Sequence, residues 1–328
     1  MSLVSSAKEV WAQGPGPTNK KEYIIHFLKG FLMGTADLIP GVSGGTMAFI
    51  TGIYEGLLAA IASIDGEVLK LLLKFQIKEV LKRVHLRFII PLGFGILMAI
   101  FSLARLMNFL IREKPIPTWA LFFGLILASI IVIWRQLEDH FHIKNLIFIA
   151  LGALFAWLII GLIPVETPDG HWFLYLCGVI SITAMILPGI SGSFLLLILG
   201  KYEYITAAVK NPFSSENIVI MGVFAAGAAT SLIGFSKLLN WLLTKFHGPT
   251  MAFLTGVLIG SMRKVWPWKE VLETKVIRGK TKILREANIL PQEFNNEFYL
   301  AVVLVVLGFA AVMAMDIYSR KKKIAQSA

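Results

Sequence analysis

The chain has 328 residues, of which 56% are hydrophobic and 16% are charged, and its formal net charge is +11. Several apolar runs reach the ~20 residues that a helix needs to cross a bilayer, which excludes an ordinary soluble domain. Such runs must be helical, because lipid offers the backbone no hydrogen-bond partners. The composition therefore predicts an all-α polytopic membrane protein.

The first predicted element is a broken hairpin at 23–62. It follows residues 1–20, a polar stretch without the apolar core of a cleavable signal sequence, which we expect to be a flexible cytoplasmic tail. Residues 23–39 would reach only ~25 Å as a helix, and Pro40 and Gly41 then interrupt them. We predict a re-entrant hairpin, which enters and leaves on one face of the membrane.

The next predicted element is a basic amphipathic helix at 66–84. Its lysines recur every four residues and would form one face of the helix: Lys70, Lys74, Lys78 and Lys82. A basic amphipathic helix beside membrane spans lies on anionic headgroups. This clustering of the positive charge predicts anionic lipids as partners and no nucleic acid.

The remaining elements are apolar runs long enough for spans. In a first unit, 21–163, the predicted spans are 88–111, 118–134 and 145–163. A second unit, 172–317, has a hairpin at 172–208 and predicted spans at 218–244, 249–262 and 298–317. A basic cytoplasmic tail is expected at 318–328. The single cysteine, Cys177, excludes an intramolecular disulfide, and the six histidines form no convincing metal-ligand set, so we expect neither metal nor cofactor.

The two units are copies of one another. Residues 30–55 align without gaps on 178–203, with 11 of 26 positions identical, and 105–129 align on 237–261. Each unit, a re-entrant hairpin plus three spans, crosses the membrane an odd number of times, so the second unit is predicted to be inverted. Inverted repeats with broken helices are the architecture of many secondary transporters.

The distribution of Lys and Arg predicts that both termini are cytoplasmic. The amphipathic helix and the C-terminal cluster then lie inside. The loop between residues 263 and 297 disagrees, because it carries eight Lys and Arg residues and this topology places it outside. Long loops have less influence on topology than short ones, so the prediction of cytoplasmic termini is kept.

The hairpin tips carry the same motif, Pro-Gly-X-Ser-Gly, at residues 40–44 and 188–192. Glycines let the backbone approach an anion, the helix that follows offers free N–H groups, and the serine hydroxyl adds a donor or a cap. A phosphate group fits such a cradle, whereas the alternative is that Gly and Ser merely permit close helix packing. The predicted phosphate-binding residues are Gly41, Ser43, Gly44, Gly45, Gly189, Ser191, Gly192 and Ser193.

Two cations lie inside predicted spans, where charges are expensive and usually functional. Arg105 matches Lys237 in the repeat, and Asn108 and Asn240 follow each of them by three residues on the same helical face. This duplicated pair of a cation and an amide could offset phosphate charge. The alternative is that the cations extend to the membrane interface.

Three carboxylates are candidates for proton coupling. Asp37 precedes the first tip and is replaced by Met185 in the second copy, so it is unduplicated. Burial of an unpaired carboxylate favours its protonated form, although a salt bridge from Asp37 to Arg105 is an alternative. Glu55 and Glu203 each follow a tyrosine, and their alternative function is to cap the hairpin exits near the headgroups.

These motifs resemble a family of bacterial membrane proteins, the polyprenyl-phosphate transporters of the PopT type. The resemblance is carried by Asp37-Leu-Ile-Pro-Gly-Val-Ser-Gly-Gly-Thr46, Gly52-Ile-Tyr-Glu55, Leu187-Pro-Gly-Ile-Ser-Gly-Ser193 and Lys201-Tyr-Glu203, and it covers roughly residues 21–320. It implies translocation of undecaprenyl phosphate, the lipid carrier of cell-wall peptidoglycan precursors, across the bacterial cytoplasmic membrane for reuse.

Two other functions stay open. Undecaprenyl-diphosphate phosphatases of the BacA type are similar in having re-entrant inverted repeats and a Pro-Gly-X-Ser-Arg-Ser motif. Gly44 and Gly192 stand here at the position of that arginine, and the glutamate-rich catalytic segment of those enzymes has no counterpart. Phosphoryl transfer needs such positioned charges, so carrying the lipid is favoured over cleaving it. The third function is proton-coupled transport of a small soluble anion.

Overall fold

The computed structural model describes residues 15–39, 42–135, 137, 141–162, 167–168, 170–277 and 280–327. Most of these residues are helical. The helices are α1 Lys20–Asp37, α2 Gly44–Ile50, α3 Tyr54–Ala62, α4 Gly66–Leu73, α5 Ile77–Arg83, α6 Leu86–Glu113, α7 Pro115–Trp134, α8 Ile143–Ile160, α9 His171–Ile186, α10 Gly192–Ile198, α11 Tyr202–Lys210, α12 Ser215–Lys245, α13 His247–Val265 and α14 Asn296–Ser327. Two strands, β1 Lys269–Ile277 and β2 Lys280–Asn288, lie between α13 and α14.

Among the described residues, five helices are long and apolar enough to cross a membrane: α6, α7, α8, α12 and the part of α14 up to Ile317. They coincide with five of the six predicted spans, although residue 163, the predicted end of one span, lies outside the described residues. The sixth predicted span, 249–262, forms α13, a helix whose side chains are mostly buried and which is not among the five. The bent pair α10 and α11, which meet at 115°, would add a further crossing if counted as one span.

The helices pack in matching pairs in the two halves of the chain. Helix α1 packs on α6 and α9 on α12, while α14 packs on α7 and α8 on α13. Small residues permit these contacts: a Cβ at Gly124 would lie 2.1 Å from the Val305 carbonyl oxygen, and one at Gly256 would lie 2.1 Å from that of Ile149. Helices α7 and α13 contact each other in the centre. At this contact, Phe123 in the middle of α7 packs against Trp266 just after α13, with ring centroids 5.4 Å apart.

Each hairpin is broken twice, where the repeat predicted one break. After the tip, α2 and α10 are short, and Gly52 and Gly200 end them with φ of +68° and +67°, a conformation that glycine adopts without strain. The end of each short helix then lies beside the residues that lead into the same hairpin. Lys29 Nζ on α1 donates to the Thr51 carbonyl at 2.8 Å, and Thr167 before α9 donates to the Leu199 carbonyl at 2.6 Å.

The predicted amphipathic helix at 66–84 is wrong as a single helix. It is divided into α4 and α5 by a turn in which Phe75 adopts a φ of +55°. The two helices pack through Val68, Val80 and Val84. Two of the four predicted lysines pair within their own helix, Lys70 with Glu67 at 2.7 Å and Lys82 with Glu79 at 3.1 Å, so the lysines do not form one continuous stripe.

The prediction of an all-α fold missed the β-hairpin. Strands β1 and β2 pair antiparallel, with Lys269 opposite Asn288, within the segment predicted as a loop.

The two predicted tails are described only in part. Residues 1–14 lie outside the description, but Pro17 is held on α6 by a 3.0 Å hydrogen bond from Arg87 Nε to its carbonyl, and residues 318–327 continue α14 as helix.

Candidate functional site

The tips of the two hairpins meet inside the protein. The Ser43 hydroxyl donates to the Met185 carbonyl at 3.0 Å, and the Tyr54 hydroxyl donates to the Ile186 carbonyl at 3.0 Å. In the reverse direction, the Gly189 N–H donates to Thr46 Oγ1 at 2.8 Å. The structure therefore brings the two copies of the repeated motif together, through residues more than 130 positions apart in the chain.

Tip 1, between α1 and α2, contains an anion of the protein itself. Asp37 Oδ1 accepts a 2.6 Å hydrogen bond from the N–H of Gly44, the first residue of α2. The Ser43 hydroxyl caps the same helix by accepting from Gly45 N–H at 3.1 Å. The predicted cradle at this tip is thus filled by a carboxylate. Gly41, also predicted for it, lies outside the described residues.

Tip 2, between α9 and α10, has no carboxylate at the matching position, which is Met185. The buried Ser191 hydroxyl is hydrogen bonded to the Ser193 hydroxyl at 2.9 Å, and both are available to an incoming acceptor by rotation of their O–H groups. Gly189 has a φ of +89°, and a Cβ there would lie 2.8 Å from Ser261 Oγ of α13. Tip 2 therefore rests on the last turns of α13.

The glycines of both tips are also needed for packing. A Cβ at Gly44 would lie 2.5 Å from Asp37 Oδ2, one at Gly45 would lie 2.8 Å from the Met185 carbonyl oxygen, and one at Gly192 would lie 2.3 Å from that of Ser181. Close packing, the alternative to an anion cradle, is therefore a function that these glycines have. It does not compete with the cradle, because close backbone approach is needed for both.

The structure does not bring the predicted cations to the tips. Arg105 and Lys237 are exposed, and neither makes a hydrogen bond or an ion pair with a tip residue among the described parts of the chain. Lys237 lies near Asp65, before α4. The pKa of Asp65 is lowered by the Val68 N–H and by Arg83, with a smaller contribution from Lys237. Asn240 is half-buried, and the side chain of Asn108 lies outside the description.

The two predicted glutamates lie at the hairpin exits. Glu55 is in the first turn of α3 and Glu203 is in the first turn of α11, where a carboxylate is favoured by the helix dipole. Glu55 Oε1 is 3.2 Å from His247 Nε2 at the start of α13, and both side chains are exposed. This placement agrees with capping, the alternative to proton coupling.

A pair of lysines beside tip 2 was missed by sequence reasoning. Lys264 lies in the last turn of α13 and Lys269 begins β1. Their ammonium groups lie 3.5 and 3.6 Å from the same carboxylate oxygen, Glu286 Oε2 on β2. Lys264 Nζ also lies 5.0 Å above the ring of Phe194, which directly follows Ser193. The available signal was the density of Lys and Arg in this segment, which was considered only as a topology signal.

Five apolar spans, two broken hairpins and an interior contact between their tips define a multi-pass membrane protein with a polar site in its core. Among the described residues, no three His, Cys, Asp or Glu side chains lie together as metal ligands would.

Comparison with known proteins agrees with this class. Residues 33–282 match the model of the VCA0040-like family, described as undecaprenyl phosphate translocase-like, and the chain belongs to that family. A polyprenyl-phosphate transporter of Vibrio cholerae is 39% identical over 306 residues, 91% of this chain and 98% of the relative. A polyprenyl-phosphate transporter of Staphylococcus aureus is 30% identical over 259 residues, 74% of this chain and 86% of the relative. No solved structure matches.

Proposed function

We propose that the protein translocates undecaprenyl phosphate across the bacterial cytoplasmic membrane, so that this lipid carrier of cell-wall synthesis is reused. The observation that carries the proposal is the meeting of two matched Pro-Gly-X-Ser-Gly tips in the interior of a chain from this family. The phosphate would bind at the tips, and the polyprenyl chain would stay in the lipid beside the hairpins. No bond of the lipid is formed or broken.

The architecture proposed for this function is a pair of inverted repeats with both termini in the cytoplasm. Support comes from α7 and α13, which match in the repeat and contact each other in the centre. Trp119 near the start of α7 lies beneath Lys269 Nζ just after α13, as expected for two helices that run in opposite directions. Further support comes from the hairpins, because in each of them the residues after the tip are hydrogen bonded to the residues that lead into it. A central site between inverted halves can open to either side in turn.

Proton coupling through Asp37 is proposed because the Asp37 carboxylate occupies tip 1. A carboxylate and a phosphate repel each other strongly where water is scarce, so the phosphate is expected at the tips when Asp37 is protonated or withdrawn from Gly44. Each lipid phosphate would then be accompanied by a proton. Glu55 and Glu203 are the weaker candidates for this coupling, since the helix dipole and His247 account for Glu55.

The helices α4 and α5 are proposed to lie on anionic headgroups. Lys74 and Lys78 are exposed on either side of the turn that joins them. Leu73 and Phe75 at the same turn are 73% and 86% exposed. Basic residues around exposed apolar side chains are typical of a segment that lies in the membrane interface.

The phosphatase alternative is disfavoured because the tips lack space for the arginine of the phosphatase motif. The arginine of that motif would stand at Gly44 or Gly192, and a single Cβ atom there would already lie 2.5 Å from Asp37 Oδ2 or 2.3 Å from the Ser181 carbonyl oxygen. An arginine therefore does not fit either position, and a charged group for phosphoryl transfer is lacking at both.

The deciding experiment is reconstitution into liposomes. Polyprenyl phosphate should move between leaflets without release of phosphate, and the Ser43→Ala, Ser191→Ala double variant should lose this activity. Ser102→Ala is the matched control, because Ser102 is an exposed serine of α6 bonded to its own helix at the Met98 carbonyl. Free phosphate released from undecaprenyl diphosphate would indicate the enzyme instead, and uptake of a soluble anion without lipid movement would indicate the third function.

A further inference from the structure

We propose that Lys264 and Lys269 form a binding site for the phosphomonoester group of the lipid at the mouth of tip 2, which Glu286 occupies in the absence of lipid. The proposal rests on the proposed function and adds to it the cations that neutralise the phosphate. It assigns to this lysine pair the part that the sequence had assigned to Arg105 and Lys237.

The charges of the lysine pair are only partly balanced. Both ammonium groups face one oxygen of one carboxylate, at 3.5 and 3.6 Å, which is longer than a charge-assisted hydrogen bond of about 2.7–2.9 Å. The side chains of Lys264, Lys269 and Glu286 are 22%, 11% and 27% exposed. Two half-buried cations therefore share one loosely held anion, and one positive charge is left over.

The lysines are held in place without the carboxylate. Lys269 Nζ donates to the Lys264 carbonyl at 2.7 Å and lies 4.3 Å above the ring of Trp119 on α7, a favourable position for a cation. Lys264 Nζ lies above Phe194. These contacts fix two donors side by side, so that Glu286 on the β-hairpin can leave without loss of the site.

The lysine pair is adjacent to tip 2. Phe194 beneath Lys264 directly follows Ser193, whose hydroxyl bonds Ser191. Ser261, one turn before Lys264 on α13, is the residue on which Gly189 rests. A phosphate at the serine hydroxyls of tip 2 would therefore meet cations on its β-hairpin side.

A phosphomonoester suits this site better than a carboxylate does. It carries about −1.5 to −2 charges near pH 7 and three acceptor oxygens, enough to bond both ammonium groups at once. Burial, and next the charge of Lys264, lower the pKa of Lys269 to about 8, against a smaller opposing effect of Glu286. A dianion close to Lys269 relieves this penalty on its charged form.

The site is present in one half only. At the offset of the second repeat block, the positions of Lys264 and Lys269 correspond to Val132 and Leu137, which are buried and apolar. The tips of the two halves thus differ in charge, with a carboxylate at tip 1 and two lysines beside tip 2. The phosphate is therefore expected to bind more tightly on the β-hairpin side of the protein.

The test is calorimetric titration of the full-length protein in detergent with a short-chain prenyl monophosphate. The Lys264→Gln, Lys269→Gln variant should bind at least about tenfold more weakly, as expected for the loss of charge-assisted hydrogen bonds. Glu286→Gln should bind several-fold more tightly than the wild type, because the internal competitor is neutralised. Lys245→Gln, a change at an exposed lysine that ends α12, should bind as the wild type does.

Two results would overturn the proposal: unchanged or weaker binding by Glu286→Gln, or wild-type binding by the double lysine variant. Inorganic phosphate should give the same lysine-dependent signal at higher concentration, since the site contacts the phosphate group. Binding of the prenyl alcohol, with no binding of inorganic phosphate, would contradict the proposed site. Lipid movement in liposomes by a protein whose binding ignores the lysines would refute this site and leave the proposed function intact. A wild type that moves no polyprenyl phosphate would refute the function itself.

Discussion

The Asp37 carboxylate accepts a 2.6 Å hydrogen bond from the N–H of Gly44, at the point where the sequence predicts a bound phosphate. The two anions would therefore compete for one tip, and protonation of Asp37 decides which of them is favoured there. This competition is the basis of the proposed coupling of translocation to pH.

Asp37→Asn tests this competition. Because the amide keeps the shape but not the charge, we expect polyprenyl-phosphate translocation to lose its dependence on external and internal pH below about pH 7, where Lys269 stays charged. In the wild type, translocation should fall as pH rises, since the ionised carboxylate excludes the phosphate. The measurement is lipid movement in liposomes over a pH series.

The control for this series is Asp65→Asn, which changes an aspartate before α4 whose carboxylate accepts from Val68 N–H and from Arg83 and from no described residue of the tips. Its pH profile should match that of the wild type. An Asp37→Asn profile that still follows the wild type would show that the coupling group lies elsewhere.

The contact between the hairpins predicts unequal effects of two matched tyrosines. Tyr54 is buried and donates to the Ile186 carbonyl, whereas Tyr202, its partner in the repeat, is 39% exposed. Tyr54→Phe should lower the free energy of unfolding by about 1–2 kcal/mol, since a buried carbonyl loses its donor, and Tyr202→Phe should change it little. Thermal unfolding in detergent measures both, and equal effects would contradict the arrangement of the tips.

The glycine of tip 2 should be irreplaceable, in contrast to a glycine of the neighbouring span. Gly192→Ala would place a Cβ 2.3 Å from the Ser181 carbonyl oxygen, while Gly234 on α12 has nothing within 4 Å. We expect Gly192→Ala to destabilise the protein by about 1–3 kcal/mol through overpacking and to stop translocation. Gly234→Ala should be neutral or stabilising, because alanine favours the helix.

Local signals explain which parts of this fold were predictable. The Pro-Gly tips and five of the spans coincide with breaks and apolar runs that are visible in the sequence. The second breaks at Gly52 and Gly200 depend on φ near +68°, a conformation that a glycine permits but does not by itself predict. The β-hairpin was missed because its strands carry many charges and look like a loop.

The site was less predictable than the fold, because its contacts join distant parts of the chain. The bond from Gly189 to Thr46 spans 143 residues, and Thr46 has Phe194 as its counterpart in the repeat, so self-comparison did not indicate it. Likewise, Lys264 and Glu286 are brought together by the antiparallel pairing of β1 and β2. Arg105 and Lys237 are duplicated in the repeat, whereas Lys264 and Lys269, the cations that lie beside tip 2, are not.

The lysine pair predicts a dependence of phosphate affinity on pH that the tips alone do not predict. The pKa of Lys269, lowered to about 8 by burial and then by Lys264, means that this group loses its proton as pH rises from 7 to 9. A phosphomonoester is already almost fully a dianion in that range, since its second pKa is about 6. A change in affinity between pH 7 and 9 therefore reports the protein and not the ligand.

The protonated lysine is the form that binds, so the contribution of Lys269 to the affinity for a short-chain prenyl monophosphate should be full below about pH 7 and should fall as pH rises through about 8. The charged groups that face Lys269 are Lys264 and Glu286. Near pH 9, binding should take up a proton from the buffer, which calorimetry detects as a heat that depends on the ionisation enthalpy of the buffer. Lys269→Gln should abolish both the proton uptake and the fall in affinity, whereas a fall that persists in this variant would assign the titration to another group.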